Sequence, residues 1–124
     1  MSNQTPSYYR QQGDQIDYNA GNNAVSAGDT VKIGNAILIA KEDIPANTIG
    51  ALSRIGVFRV PKDTSVFAAF DAVYWQAAGN PTGGTAGTGA YSSTSAGGTL
   101  AGRAAAAQLT GDATVDLILN GATP

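Results

Sequence analysis

The feature that most restricts this chain is its punctuation. From Ile16 onward, turn-forming groups recur at short intervals: Gly21-Asn22-Asn23, Ala27-Gly28-Asp29, Gly34-Asn35, Pro45-Ala46-Asn47, Pro61-Lys62-Asp63, Gly79-Asn80-Pro81, Thr110-Gly111-Asp112 and Asn120-Gly121. Gly, Pro, Asn and Asp at such spacing break the backbone before a long helix can form. Between the breaks lie short β-rich runs at 30–33, 36–41, 49–60, 72–76, 100–107 and 113–119. No convincing helical period intervenes, so the pattern predicts one small all-β barrel or sandwich.

Two runs declare their faces. In 113–119, Val115, Leu117 and Leu119 share one side by the two-residue period and are expected in the core, with Thr114, Asp116 and Ile118 opposite. In 55–61, Ile55, Val57 and Arg59 project one way and Phe58 and Val60 the other. Apolar weight on both sides calls for cover on both sides, by a second sheet or by a subunit. Gly56 within that run points to a bulge or a close backbone approach. The stretch 64–70 is ambiguous, since Val66, Phe67 and Phe70 also fit a helical turn. The alanines at 104–107 are read as strand.

Composition now limits the chemistry. Of 124 residues, 22 are Ala and 16 Gly, while Leu, Ile, Val and Phe together number 24. A share of large aliphatics this low accompanies disorder only when net charge is high, and here it is −2. There is no Cys and no His. Disulfides, thiolate metal sites and the Ser-His-Asp and Cys-His constellations are therefore excluded within one chain. Seven scattered Lys and Arg with a pI near 4.7 do not make a phosphate-tracking surface, so no nucleic acid is expected. No apolar run suits a signal peptide or a membrane span.

The glycine-rich stretch 79–99 invites a phosphate-loop reading, but none of Lys32, Lys41 and Lys62 follows a Gly or precedes Ser or Thr. Asp29 and Asp112 occupy turn positions, and Glu42 does not close a calcium loop. The expectation is no catalytic residue, no metal and no cofactor. The stretch 79–99 itself, holding 7 of the 16 glycines, reads as a long exposed Gly/Thr/Ser-rich loop within a single domain spanning 14–124.

Two places suit contact with a partner. Residues 1–13 lack periodicity and read as a flexible N-terminal arm, in which Tyr8, Tyr9 and Arg10 are of the types that anchor interfaces. A frayed terminus is the plainer reading of the same residues. Trp75, in the aromatic run Val73-Tyr74-Trp75, is either a core post or an interface anchor. Together with Tyr91 it is also a candidate stacking platform for a sugar.

Several runs in order then resemble one family. They are Ala27-Gly28-Asp29-Thr30-Val31; Gly34 with Ile37-Leu38-Ile39-Ala40; Asp43-Ile44-Pro45-Ala46-Asn47 with Gly50; Gly56-Val57-Phe58-Arg59-Val60-Pro61-Lys62; Asp71-Ala72-Val73-Tyr74-Trp75; Leu100-Ala101-Gly102-Arg103-Ala104-Ala105; and Asp112 through Asn120. Over 13–121 the chain resembles the tailed-phage capsid cement, or head decoration, proteins, a family also labelled a predicted phage recombinase. The chain has neither the phosphate loop nor the length that a strand-exchange ATPase needs.

The resemblance implies a β-barrel or jelly-roll-like module on the outer surface of an icosahedral head, made in the host cytoplasm. It implies the major capsid protein as partner and self-association, with a homodimer favoured and a trimer possible. Tyr8, Tyr9, Arg10 and Tyr91 are the candidate partner-binding residues. The alternative is a small β binding module, such as a carbohydrate- or receptor-binding head or tail appendage. The polar arm and the extended glycine stretch both depart from the family pattern.

Overall fold

The computed structural model describes residues 13–120. Nine antiparallel strands form two sheets, and there is no helix among the described residues. The strands are β1 (Gln15–Asn19), β2 (Thr30–Ile33), β3 (Ala36–Ala40), β4 (Ile49–Ser53), β5 (Gly56–Pro61), β6 (Ala72–Gln76), β7 (Ala90–Ser92), β8 (Thr99–Ala104) and β9 (Thr114–Leu119). One sheet runs β1-β4-β3-β2 and the other β5-β9-β8-β6-β7. Neither closes into a barrel, so the architecture is a sandwich. A single parallel bridge, Lys62 to Tyr91, draws β7 toward the end of β5 without forming a ladder.

The two sheets are built on one plan. With β7 set aside, β5, β6, β8 and β9 take the places of β1, β2, β3 and β4, and each set has the Greek-key order in which the first strand lies beside the last. The match extends to single residues. Asn19 pairs with Ile49 as Pro61 pairs with Thr114, and Thr30 pairs with Ile39 as Ala72 pairs with Arg103. Before each second strand comes the same bridge and turn. Val25 bridges Ile44, and Phe67 bridges Gln108.

In one turn the Asp29 carboxylate accepts from the Ser26 N–H at 2.9 Å while the Gly28 N–H donates to the Ala40 carbonyl at 2.6 Å. In the other, Asp71 accepts from Ala68 at 2.9 Å and the Phe70 N–H donates to Ala104 at 2.7 Å. Asn19 with Pro61, Val25 with Phe67 and Asp29 with Asp71 are all related by one shift of 42 residues.

The stretch 79–99 lies at the one large difference between the units. β2 and β3 are joined by the two-residue turn Gly34-Asn35, where Gly34 has φ 59°, the positive value that this tight turn needs in its first central residue. Between β6 and β8 the same connection is expanded to residues 77–98, and β7 forms within it. The loop expected from sequence is therefore only partly a loop. Ala90, Tyr91 and Ser92 are fully buried, and β7 pairs with β6 through Tyr74–Ser92, Trp75–Tyr91 and Gln76–Ala90.

The core follows from the two-residue period. Val115, Leu117 and Leu119 are buried as expected and join Val60, Phe67, Val73 and Tyr91 between the sheets. Ile37 and Ile39 of β3 enter that same core from the first sheet, while Leu38 and Ala40 face the other way. There, with Val25, Ile44 and Leu52, they form a second, smaller core. The run 49–60 divides into β4 and β5 because the chain crosses between sheets at Arg54-Ile55, and Gly56 resumes at φ 126°. The alanine run 104–107 is strand only to Ala104.

Candidate functional site

Polar side chains in this molecule chiefly brace turns. The clearest case is Lys62, which is fully buried. Its Nζ donates to three carbonyls, of Leu109 at 2.8 Å, Asp63 at 2.9 Å and Asp112 at 3.0 Å, saturating the ammonium. One lysine thereby ties the end of β5 to the turn before β9. Beside it, Asp63 accepts from the Ser65 N–H at 2.8 Å. Burial pushes the Asp63 carboxyl upward, but the hydrogen bonds from Ser65 and Ser92 and the Lys62 charge outweigh it and hold the group below its usual range.

Tyr91 and Trp75 form the aromatic post of the larger core, with ring centroids 4.9 Å apart. The Tyr91 hydroxyl bonds the Thr30 hydroxyl at 2.6 Å, joining the two sheets. Burial pushes this phenol up to about 12, with the Thr30 bond opposing. Tyr91, expected at a partner surface, is thus a core residue and presents no ring face outside. The sugar platform of Trp75 with Tyr91 fails with it. Trp75 is half-buried and packs on the core.

Open clefts mark the described surface. One, of about 630 Å³, is lined by Asp63, Gln76, Asn80 and Ser92 among others, and Gln76 Nε2 crosses it to the carbonyls of Thr94 at 2.8 Å and Ala96 at 3.1 Å. Its donors are largely committed to holding the expanded connection. Among the described residues no cluster of three His, Cys, Asp or Glu could hold a metal ion.

Tyr8, Tyr9 and Arg10, like the arm expected around them, lie outside the described residues, but the place where the described chain begins is defined. Arg54 Nε donates to the Gly13 carbonyl at 2.6 Å, and its backbone N–H donates to Asp14 at 2.9 Å. The Arg54 carbonyl accepts from the Asn120 side chain.

What the sequence did not show is how far the outer side of 55–61, already expected to need cover, extends as a sheet face around Val57. β5 turns Phe58 and Val60 inward, leaving Val57 63% exposed. The register places Val57 beside Ile118, Ile118 beside Arg103 and Arg103 beside Ala72, one row across four strands. On the same face Arg59 pairs with Asp116 at 3.0 Å, and this raises the guanidinium pKa by hydrogen bond and charge. The two-sided apolarity of 55–61 was the available signal. One of the two sides has no cover among the described residues.

The molecule thus falls in the class of small antiparallel β-sandwiches made of two Greek-key units. Its polar groups serve the scaffold and its open surfaces are sheet faces and broad clefts. The phage cement protein family model matches residues 10–119, and the chain belongs to that family. It is a structural protein of a phage capsid. No curated protein and no solved structure matches the chain.

Proposed function

We propose that this chain binds the outside of the icosahedral phage head and fastens neighbouring major capsid proteins, acting as a non-enzymatic decoration protein that associates with itself, as a dimer before a trimer. The family match over residues 10–119 carries this reading. A braced sandwich supports it, because a fastener needs a body that keeps its shape while its periphery makes contacts. Many copies tied to one another and to a lattice gain effective concentration, so modest single contacts accumulate. In this reading the arm, with Tyr8, Tyr9 and Arg10, reaches the capsid, and ordering it on docking costs conformational entropy that the aromatic contacts offset.

The test is occupancy on heads that lack the protein. A chain without residues 1–12 is expected to keep its β circular dichroism and thermal transition while binding heads at least ~10-fold more weakly, the loss of one or more anchor contacts. Saturation of heads at wild-type concentrations by the shortened chain would remove the arm from the mechanism. Failure of the full chain to bind heads at all would overturn the whole reading.

A further inference from the structure

The sheet face left uncovered on β5, β9 and β8 has a counterpart inside the molecule. By the correspondence of the two units, Ile118 stands where Ser53 stands in the first sheet, and Arg103 where Ile39 stands. Ser53 and Ile39 are buried, because the second sheet packs over that face. The same face of the second unit carries Val57, 63% exposed, with Ile118 beside it and Leu100 43% exposed. A chain that stacks sheet on sheet on one unit presents the equivalent surface of the other to solvent.

Next to this face is the most strained residue of the body. Phe70 adopts φ 66° in the turn where the first unit has Gly28 at φ 91°. A bulky side chain in the left-handed region costs roughly 1–2 kcal/mol. No packing among the described residues offsets it, since Phe70 is 62% exposed. Arg103, on the face itself, fixes the turn by donating from Nη1 to the Phe70 carbonyl at 2.9 Å. The strain holds an aromatic ring out at the rim of an apolar sheet face, as interface anchors are held.

The geometry points to a second copy of this chain as the occupant, packed by a twofold axis face to face on β5, β9 and β8. Charge supports a twin partner. Arg59 and Asp116 are neighbours on the face, so a twofold axis that runs between them, across the line joining them, sets each arginine against the other copy's aspartate, and the surface complements itself. Addition through the free edge of β5 is the poorer alternative, because Pro61 lacks an N–H and Arg59 is charged. The inference rests on the self-association proposed above and names the surface that performs it.

Sedimentation of the isolated protein tests both. Wild type is expected at twice the 12.5 kDa chain mass. Val57→Asp is expected to sediment as one chain with unchanged circular dichroism, and Ile49→Asp, an exposed control on the other unit, to stay paired. Arg59→Glu and Asp116→Arg should each weaken pairing ~10-fold or more alone, yet pair when mixed, because across the twofold the two reversed charges then meet each other and the two native ones do likewise. Phe70→Gly should raise thermal stability while weakening pairing.

A wild type that remains a single chain up to high concentration overturns the self-association itself. A paired wild type whose Val57→Asp variant stays paired, or whose charge-reversed variants do not recover on mixing, overturns this face and leaves self-association standing. Head occupancy, measured separately, decides the capsid reading independently of either.

Discussion

Tyr91 shows how one side chain joins the two sheets. Its ring fills the core against Trp75 and its hydroxyl reaches Thr30, so the phenol is held neutral where ionisation would place a charge in an apolar core. Its folded pKa, about 12, lies above the ordinary value of 10.0. The resulting stabilisation is complete below pH ~10 and is lost as the pH rises toward 12, because the unfolded chain releases this proton first. Two pKa units correspond to roughly 2–3 kcal/mol. Tyr91→Phe should therefore be about 1 kcal/mol less stable than wild type at neutral pH, from the missing hydrogen bond. The two denaturation curves should converge and cross as pH climbs beyond ~10, and a gap that stays constant with pH would assign the hydroxyl no role in alkaline unfolding. No sequence pattern distinguishes this tyrosine from a surface one. It stands between glycine-rich segments, and its burial depends on pairing with β6, far off in the chain.

At the scale of elements, the expanded connection 77–98 separates into a replaceable tip and an indispensable strand. The Gly89 N–H donates to the Gly79 carbonyl at 2.9 Å, so the base of the tip is already closed. Replacing residues 80–88 by Asn-Gly should alter stability by no more than about 1 kcal/mol, mainly the Thr82 N–H bond to the Lys62 carbonyl, since closure entropy changes slowly with loop length. Removing Ala90–Ser92 as well should abolish the cooperative unfolding transition, because Tyr91 leaves a cavity at the centre of the core. Chemical denaturation of the two variants checks this.

The strands legible from sequence were those with a plain two-residue period and a flanking turn: β2, β3, β6 and β9 emerged within a residue of their limits. β1 was not, since Gln15–Asn19 offers only Ile16 and Tyr18 to the smaller core. Nor was β7, three residues long within a glycine-rich segment. The buried Lys62 also carried no signal, because its three acceptors are carbonyls, which every sequence has. The likeness of the two units is hidden in the sequence because it lies in turns and registers. Asp29 and Asp71 match, but Gly28 answers to Phe70 and Ile44 to Gln108.

Across the whole molecule the units are alike in plan but not independent. Ile37 and Ile39 of the first unit complete the core of the second, so neither can lose its structure without exposing the other. Thermal unfolding should show one transition, with calorimetric and van't Hoff enthalpies equal. Two separated transitions would mean that each unit folds alone. Such coupling suits the fastening role proposed above, which requires resistance to local opening.

The meeting of both described ends at Arg54 determines how this body takes a load. A pull applied at Gly13 meets Arg54 first, then the Gln15–Ser53 pair at the open end of an edge strand. Bonds there break singly and in sequence, like a zip. β9, which carries the other end, lies between β5 and β8 and can leave only by giving up both ladders. The molecule therefore has a weak side and a strong side, and under tension β1 would peel away while the larger sandwich stayed whole.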